Sequence, residues 1–274
     1  MGRLDEKVAV ITGSTRGIGK AIAHEFVRQG AKVVITSSSN ANVQAAVAEF
    51  PSGSAFGCVC DVVSAADMER LIDAATKRFG RIDCFINNAG ISDPFMNITE
   101  SDPERWGKVI DTNLKGTYNG CRAAISYFLR EDIPGKIINM AGSGTDSGSN
   151  TPWMSAYGST KAAIARFTYA VAAEYKHTGI SVMLLHPGLV RTGMVSSDNP
   201  TPELSRQLAT FSTILDIFAQ SPSVAAKLAV QLASDWSDSK TGIYLSALRG
   251  RRKKWLLLTY PFRKMMNRID RRTY

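Results

Sequence analysis

The 274-residue chain is 44% hydrophobic and 21% charged, a length and balance that suit one α/β domain with a large core. Its net charge of +9 lies wholly in residues 249–274, where ten Arg or Lys face one acid, Asp270; residues 1–248 are formally neutral, so no nucleic-acid partner is expected. Cys58, Cys60, Cys84 and Cys121 make no CxxC pair and the three histidines are scattered, which argues against a metal site or disulfides, and no long N-terminal apolar segment marks a signal peptide or a span, so a cytoplasmic protein is expected.

In chain order, apolar runs at 8–11, 32–36, 55–59, 84–87, 136–140, 181–186 and 243–246 read as strands. Helical patterns fall between them at about 17–29, 41–49, 65–79, 103–129, 157–177 and 222–234. Strand alternating with helix predicts right-handed crossovers and a doubly wound, Rossmann-like parallel sheet with helices on both faces. The Ser/Thr/Asn/Pro-rich stretch 191–203 reads as a loop near a site, and segments 92–98, 142–156 and 191–220 have no decodable pattern.

The first strand, Val8–Ile11, runs into Thr12-Gly13-Ser14-Thr15-Arg16-Gly17-Ile18-Gly19, and helical spacing begins at Ile18, Ile22, Phe26 and Val27. Strand, glycine turn and helix together make a phosphate site. Glycines let the backbone approach a pyrophosphate, and the helix N-terminus offers unpaired N–H groups and partial positive charge. The spacing G-x-x-x-G-x-G differs from the common G-x-G-x-x-G fingerprint. The second strand ends Thr36-Ser37-Ser38-Ser39-Asn40, without the carboxylate that would bind the ribose hydroxyls of NAD. Arg16, with hydroxyls from Ser37 and Ser38, offers instead a permanently charged phosphate donor, so NADP(H) is the expected cofactor.

Tyr157 and Lys161 stand one helical turn apart, on one face. A phenol with an ordinary pKa of about 10 is a poor base. A neighbouring ammonium is expected to lower that value, so that Tyr157 gives a proton to a carbonyl oxygen or takes one from an alcohol.

As a set, Thr12-Gly13-x-x-x-Gly17-x-Gly19, Asp61, Asn87-Asn88-Ala89-Gly90, Asn113, Tyr157-x-x-x-Lys161 and Pro187-Gly188 resemble the motif series of the short-chain dehydrogenases/reductases, compact single-domain type, over roughly residues 5–248. The resemblance implies a catalytic domain at 1–248 and a basic tail at 249–274. It also implies that Gly13, Thr15, Arg16, Gly17, Ile18 and Gly19 cradle the dinucleotide and that Asp61 and Val62 frame its adenine. Asn88, Ala89 and Gly90 would line the cofactor path, followed by Pro187, Gly188 and Val190. Thr192 would bind the nicotinamide carboxamide, and Lys161 the nicotinamide ribose. Asn113 would hold a water linking Lys161 to solvent. A hydroxyl close after strand 136–140 should polarise the substrate carbonyl. Ser143 is the expected residue, with Thr145 and Ser147 as alternatives in a loop longer than the family's usual one. The helices at 103–129 and 157–177 would form a dimer or tetramer interface.

The implied activity is hydride transfer between NADP(H) and a small carbonyl or alcohol. Two alternatives stand beside it: a non-catalytic dinucleotide-binding regulator, and a peripheral-membrane reductase of a lipid-linked substrate. The tail departs from the family. Its basic residues flank Trp255, Leu256, Leu257, Leu258, Tyr260 and Phe262. Packing with a solvated charged end is favoured there over membrane contact, and too few consecutive apolar residues are present to span a bilayer.

Overall fold

The computed structural model of the chain describes residues 2–146, 150–191, 202–269 and 272–274. Seven strands pair in parallel: Val8–Ile11 (β1), Lys32–Ser37 (β2), Ala55–Val59 (β3), Cys84–Asn87 (β4), Gly135–Met140 (β5), Ile180–His186 (β6) and Tyr244–Ser246 (β7). Their order is β3-β2-β1-β4-β5-β6-β7. The chain therefore leaves β1 toward β2 on one side and returns to β4 on the other. The winding reverses between β1 and β4, and the carboxyl ends of those strands are where such sheets bind their ligands.

Helices cover both faces. Gly17–Arg28 (α1) and Pro222–Ala233 (α8) lie on one; Ala65–Phe79 (α3) and Gly116–Arg130 (α5) lie on the other, beside part of Ser155–Glu174 (α6). The strand period divides the sheet between two cores. Ala9 and Ile11 join Ile22, Phe26 and Val230 in one core, whereas Val10 joins Leu71, Ala124 and Phe128 in the other. Every residue of β1 and β4 is buried, which is why these runs carry no polar alternation. Asn40–Val47 (α2) begins on a side-chain cap, Ser39 Oγ accepting from the Asn42 N–H.

Three segments differ from the sequence reading. The expected continuous helix at 103–129 is Pro103–Ile110 (α4), a π-helical turn at Asp111–Lys115, and then α5. The stretch 191–220 is not patternless throughout: Pro202–Phe218 (α7) is helical, while 192–201 lies outside the described residues. The tail folds as Gly250–Met265 (α9), which packs on α7.

Candidate active site

The glycine turn after β1 is held by the end of β4. Thr12 Oγ1 accepts from the N–H groups of Asn88 (2.9 Å) and Ala89 (3.0 Å), and Asn88 Nδ2 donates to the carbonyls of Thr12 (2.9 Å) and Gly13 (3.0 Å). Asn88 thus braces the turn itself. Gly13 has φ +61°, and a Cβ there would stand 2.9 Å from Ala89 Cα. At Gly19 a Cβ would stand 2.5 Å from Asn88 Nδ2 and 2.6 Å from the Gly13 carbonyl. Glycine is required at both positions by close approach, the first also by its left-handed backbone. Ser14 secures the far side, donating to the Ile11 carbonyl (2.6 Å) and accepting from the Thr36 N–H (3.0 Å).

The N-cap of α1 is Arg16. No side chain caps this helix and no acid stands in its first turn. Its first N–H groups and its positive end are therefore available to an anion, and the residues present fit a dinucleotide pyrophosphate. Arg16 is exposed, Thr15 and Gly17 are half-buried, and Ile18 packs against the core behind the turn.

At the end of β2, Ser37 Oγ accepts from the Ser39 N–H (3.2 Å), and Ser38 is exposed. Asp61 follows β3, exposed, with Oδ1 accepting from the Val63 N–H (3.0 Å). Val62 is buried, and a Cβ at Gly116 would come within 2.7 Å of its Cγ2. The turn is fixed by Asn119, a residue the sequence reading missed: its Nδ2 donates to the carbonyls of Val62 (3.0 Å) and Val63 (3.0 Å). A lone amide on the buried side of α5 was the available signal.

At the chemical end, α6 brings Tyr157 and Lys161 under the loop that follows β5. Lys161 is buried, and its Nζ donates to the Met140 carbonyl (3.0 Å) and lies 5.5 Å from the centre of the Tyr157 ring. Gly142 fills the gap between them. A Cβ at Gly142 would stand 2.4 Å from Tyr157 Oη and 3.1 Å from Lys161 Cγ. Sequence reading passed over Gly142, whose signal was a glycine beside the expected hydroxyl. Burial pushes the Tyr157 phenol up to about 12 and the Lys161 ammonium down to about 8. This corrects the expectation of a phenol lowered by its neighbour: within the protein alone, desolvation is the cause that moves both groups.

Asn113 sits fully buried in the π-helical turn. Its Oδ1 accepts from the Ile91 N–H (2.8 Å), and its Nδ2 donates to the Ile91 carbonyl (2.9 Å) and to Thr160 Oγ1 (3.1 Å). Thr160 Oγ1 donates in turn to the Tyr157 carbonyl (2.7 Å), so Asn113 is tied to the first turn of α6. The amide holds the loop after β4, including Gly90, at which a Cβ would lie 3.2 Å from Asn113 Oδ1. Asn113→Ala leaves both polar groups of Ile91 without these partners. The expected cost is about 1–3 kcal/mol, read as a lower melting temperature of the cofactor-free protein; unchanged melting would refute this bracing role.

Ser143 is half-buried in the loop after β5, and its hydroxyl has no hydrogen-bond partner among the described residues. Thr145 is engaged. Its Oγ1 accepts from the Gly142 N–H (3.0 Å) and lies 3.5 Å from the Lys161 carbonyl. Ser147 lies outside the described residues, as does Thr192. Pro187 is buried, and Gly188 turns the chain at φ +78° with Val190 half-buried beyond it. The Gly188 N–H donates to His186 Nδ1 (3.0 Å), so His186, also missed, orients this turn. Burial pulls the His186 imidazole below its ordinary pKa, Asp146 pulling the other way, which suits a neutral acceptor.

Comparison with known proteins agrees with this fold. The family model for short chain dehydrogenases matches residues 7–203. A probable chlorophyll(ide) b reductase of Arabidopsis thaliana is 34% identical over 214 residues, which are 71% of this chain and 43% of that one. A chlorophyll(ide) b reductase of Oryza sativa is 37% identical over 71% of this chain and 59% of its own length, so the chain spans about half of these chloroplastic relatives. A 3beta-hydroxysteroid dehydrogenase of Eggerthella lenta is 34% identical over 88% of this chain and 92% of its own. Among solved structures, a 3-ketoacyl-(acyl-carrier-protein) reductase of Brucella melitensis complexed with NADH superposes with a TM-score of 0.77 at 29% identity, covering 91% of this chain and 99% of that one.

Proposed function

The chain belongs to the short-chain dehydrogenase family, and on that premise we propose that it is an NADP(H)-dependent oxidoreductase interconverting a small carbonyl compound and its alcohol. The observation that carries this reading is the Tyr157–Lys161 pair, packed on Gly142 at the carboxyl edge of the sheet. The dinucleotide, when bound, supplies the hydride for reduction or accepts it in oxidation. Gly13, Arg16, Gly17, Gly19 and the start of α1 hold its phosphates, Asp61 and Val62 its adenine, and Lys161 its nicotinamide ribose. Val190 and Thr192, after the Pro187-Gly188 turn, complete the nicotinamide side.

The protein's own groups move the proton. The Tyr157 phenol, pushed by burial still further above neutral pH, is protonated and suits an acid that donates from Oη to a carbonyl oxygen during reduction. The Lys161 ammonium steadies the phenolate left behind, and the Met140 carbonyl fixes that ammonium in place. Ser143 donates a hydrogen bond to the developing oxyanion. The test of the reading is a panel of aldehydes and ketones followed by NADPH absorbance; a panel in which none is turned over would favour a dinucleotide-binding regulator.

The preference for NADP(H) rests on an exposed Arg16 and on a β2 end that carries only hydroxyls. Removing a charge-assisted contact costs about 1.5–3 kcal/mol, so Arg16→Ala is expected to weaken NADPH roughly ten- to a hundredfold while NADH changes little. Equal losses for both cofactors, or a wild-type preference for NADH, would reject the assignment. The proposed setting is the cytoplasm, in keeping with four free cysteines, three of them buried. A dimer or tetramer through the helices at 103–130 and α6 is supported by exposed Tyr118 and Leu129 on α5 and Tyr169 on α6.

A further inference from the structure

Helix α9 carries six Arg or Lys and no acid. One of its sides is already used. Leu256 is buried, Arg263 Nη2 donates to the carbonyl of Ile217 (2.7 Å), and Arg252 Nε donates to Gln220 Oε1. These contacts moor α9 on the end of α7. A second side is left open. Trp255, Leu258, Phe262 and Met265 recur at intervals of three, four and three residues, so they stack along one stripe of the helix. All four are exposed, Leu258 at 79% and Met265 at 76%, and Met266 stands beside them. Arg251 and Lys254 border this stripe and are exposed as well.

We infer that α9 docks the protein on an anionic phospholipid surface, with Trp255, Leu258, Phe262 and Met265 set into the headgroup–acyl boundary and the neighbouring Arg and Lys among the phosphates. An apolar stripe bordered by basic residues is the pattern of an interfacial helix. None of the described helices is long and apolar enough to cross a membrane, so the contact is with a surface. Charge selects the occupant. A second copy would bring another acid-free helix against this one, and like charges would repel. A nucleic acid would neutralise the charges and leave the stripe in water. An anionic bilayer satisfies both. Residues 1–248 are formally neutral, so they neither oppose nor supply the attraction. Helix α7, on which α9 is moored, reaches the loop after β4 through Phe211, whose ring centre lies 5.2 Å from that of Phe95.

The test uses the full chain, sedimented with vesicles of phosphatidylcholine alone or of phosphatidylcholine mixed with phosphatidylglycerol. Two double variants carry exposed substitutions only: L258E/F262E removes the apolar stripe, and R251E/K254E reverses its charged border. Melting temperature checks that both fold as wild type. The wild type is expected to bind the anionic vesicles at least about tenfold better than the neutral ones, less so at high salt, and each double variant to lose at least about tenfold. No anionic preference in the wild type, or full binding by L258E/F262E, would overturn the inference. So would a change in the solution mass of L258E/F262E without vesicle binding, which makes the stripe a subunit interface. Binding of a DNA duplex in place of vesicles, unaffected by L258E/F262E, would make α9 a nucleic-acid surface and overturn it equally.

Discussion

Tyr157→Phe is expected to lower carbonyl reduction by about 10²–10⁴-fold while NADPH binding survives, because it deletes the transferable proton and little else. The ring stays where it packs, and only Oη, the atom lying against Gly142, is lost. The wild-type phenol, raised to about 12, is protonated at neutral pH, whereas a hydroxyl-free ring has no acid to offer. Lys161→Ala removes both proposed roles of its side chain at once. That variant should lose turnover and also NADPH affinity, since the proposed mechanism has the buried ammonium serve the phenolate and the cofactor ribose alike. Stopped-flow reduction and NADPH fluorescence titration on the same preparations distinguish the cases. Wild-type rates in Tyr157→Phe would end the proposed mechanism.

The β1 turn and the ends of the sheet were legible because they are local. A β-branched run, three glycines and a helical period specify strand, turn and helix without help from the rest of the chain. Helix α7 was legible in principle. Leu204, Leu208, Phe211, Leu215 and Phe218 alternate by four and three residues, with Glu203 in the first turn, but a stretch rich in Ser, Thr, Asn and Pro precedes them and hid the onset. The break in the helix at 103–130 has no such local mark. It is imposed by Asn113, whose amide reaches Ile91 and Thr160, and by Gly116, which lies close against Val62. Partners 22 and 47 residues away are tertiary facts, and π-helical turns gather at functional sites for this kind of reason.

The acid–base pair shows the same division. The i, i+4 spacing of Tyr157 and Lys161 placed them on one face, as the structure has them. It could not reveal that Met140 and Gly142 close over the pair, nor that desolvation then pushes the phenol up and the ammonium down. Polar residues that brace the site were missed for the same cause. Asn119 acts on the backbone of a segment 56 and 57 residues away, and Thr160 accepts from Asn113, 47 residues away, while His186 works locally, on the Gly188 N–H, where no pattern marked it.

Ser143→Ala is expected to cut kcat by about 2.7–4 kcal/mol of transition-state stabilisation, with NADPH affinity nearly unchanged. Sequence position alone left three hydroxyls in contention after β5. Structure separates two of them on physical grounds. Thr145 Oγ1 accepts from the Gly142 N–H and thereby shapes the loop beneath Tyr157, so its hydroxyl is committed to the backbone. The half-buried Ser143 hydroxyl carries no such commitment among the described residues, and it belongs to the same turn as Gly142, the residue against Tyr157 Oη. A group that must meet an oxyanion only in the transition state needs a free donor at rest. Thr145→Ala should therefore loosen the loop and lower the melting temperature with a mild rate effect, whereas Ser143→Ala should leave melting alone and lose rate. The kinetics of Ser143→Ala, Thr145→Ala and Ser147→Ala, with melting measured on each, decide the matter. If Ser143→Ala keeps its rate and another variant loses it, the oxyanion donor is that residue. If all three keep full activity, no side chain of this loop polarises the carbonyl, and stabilisation falls to Tyr157 alone.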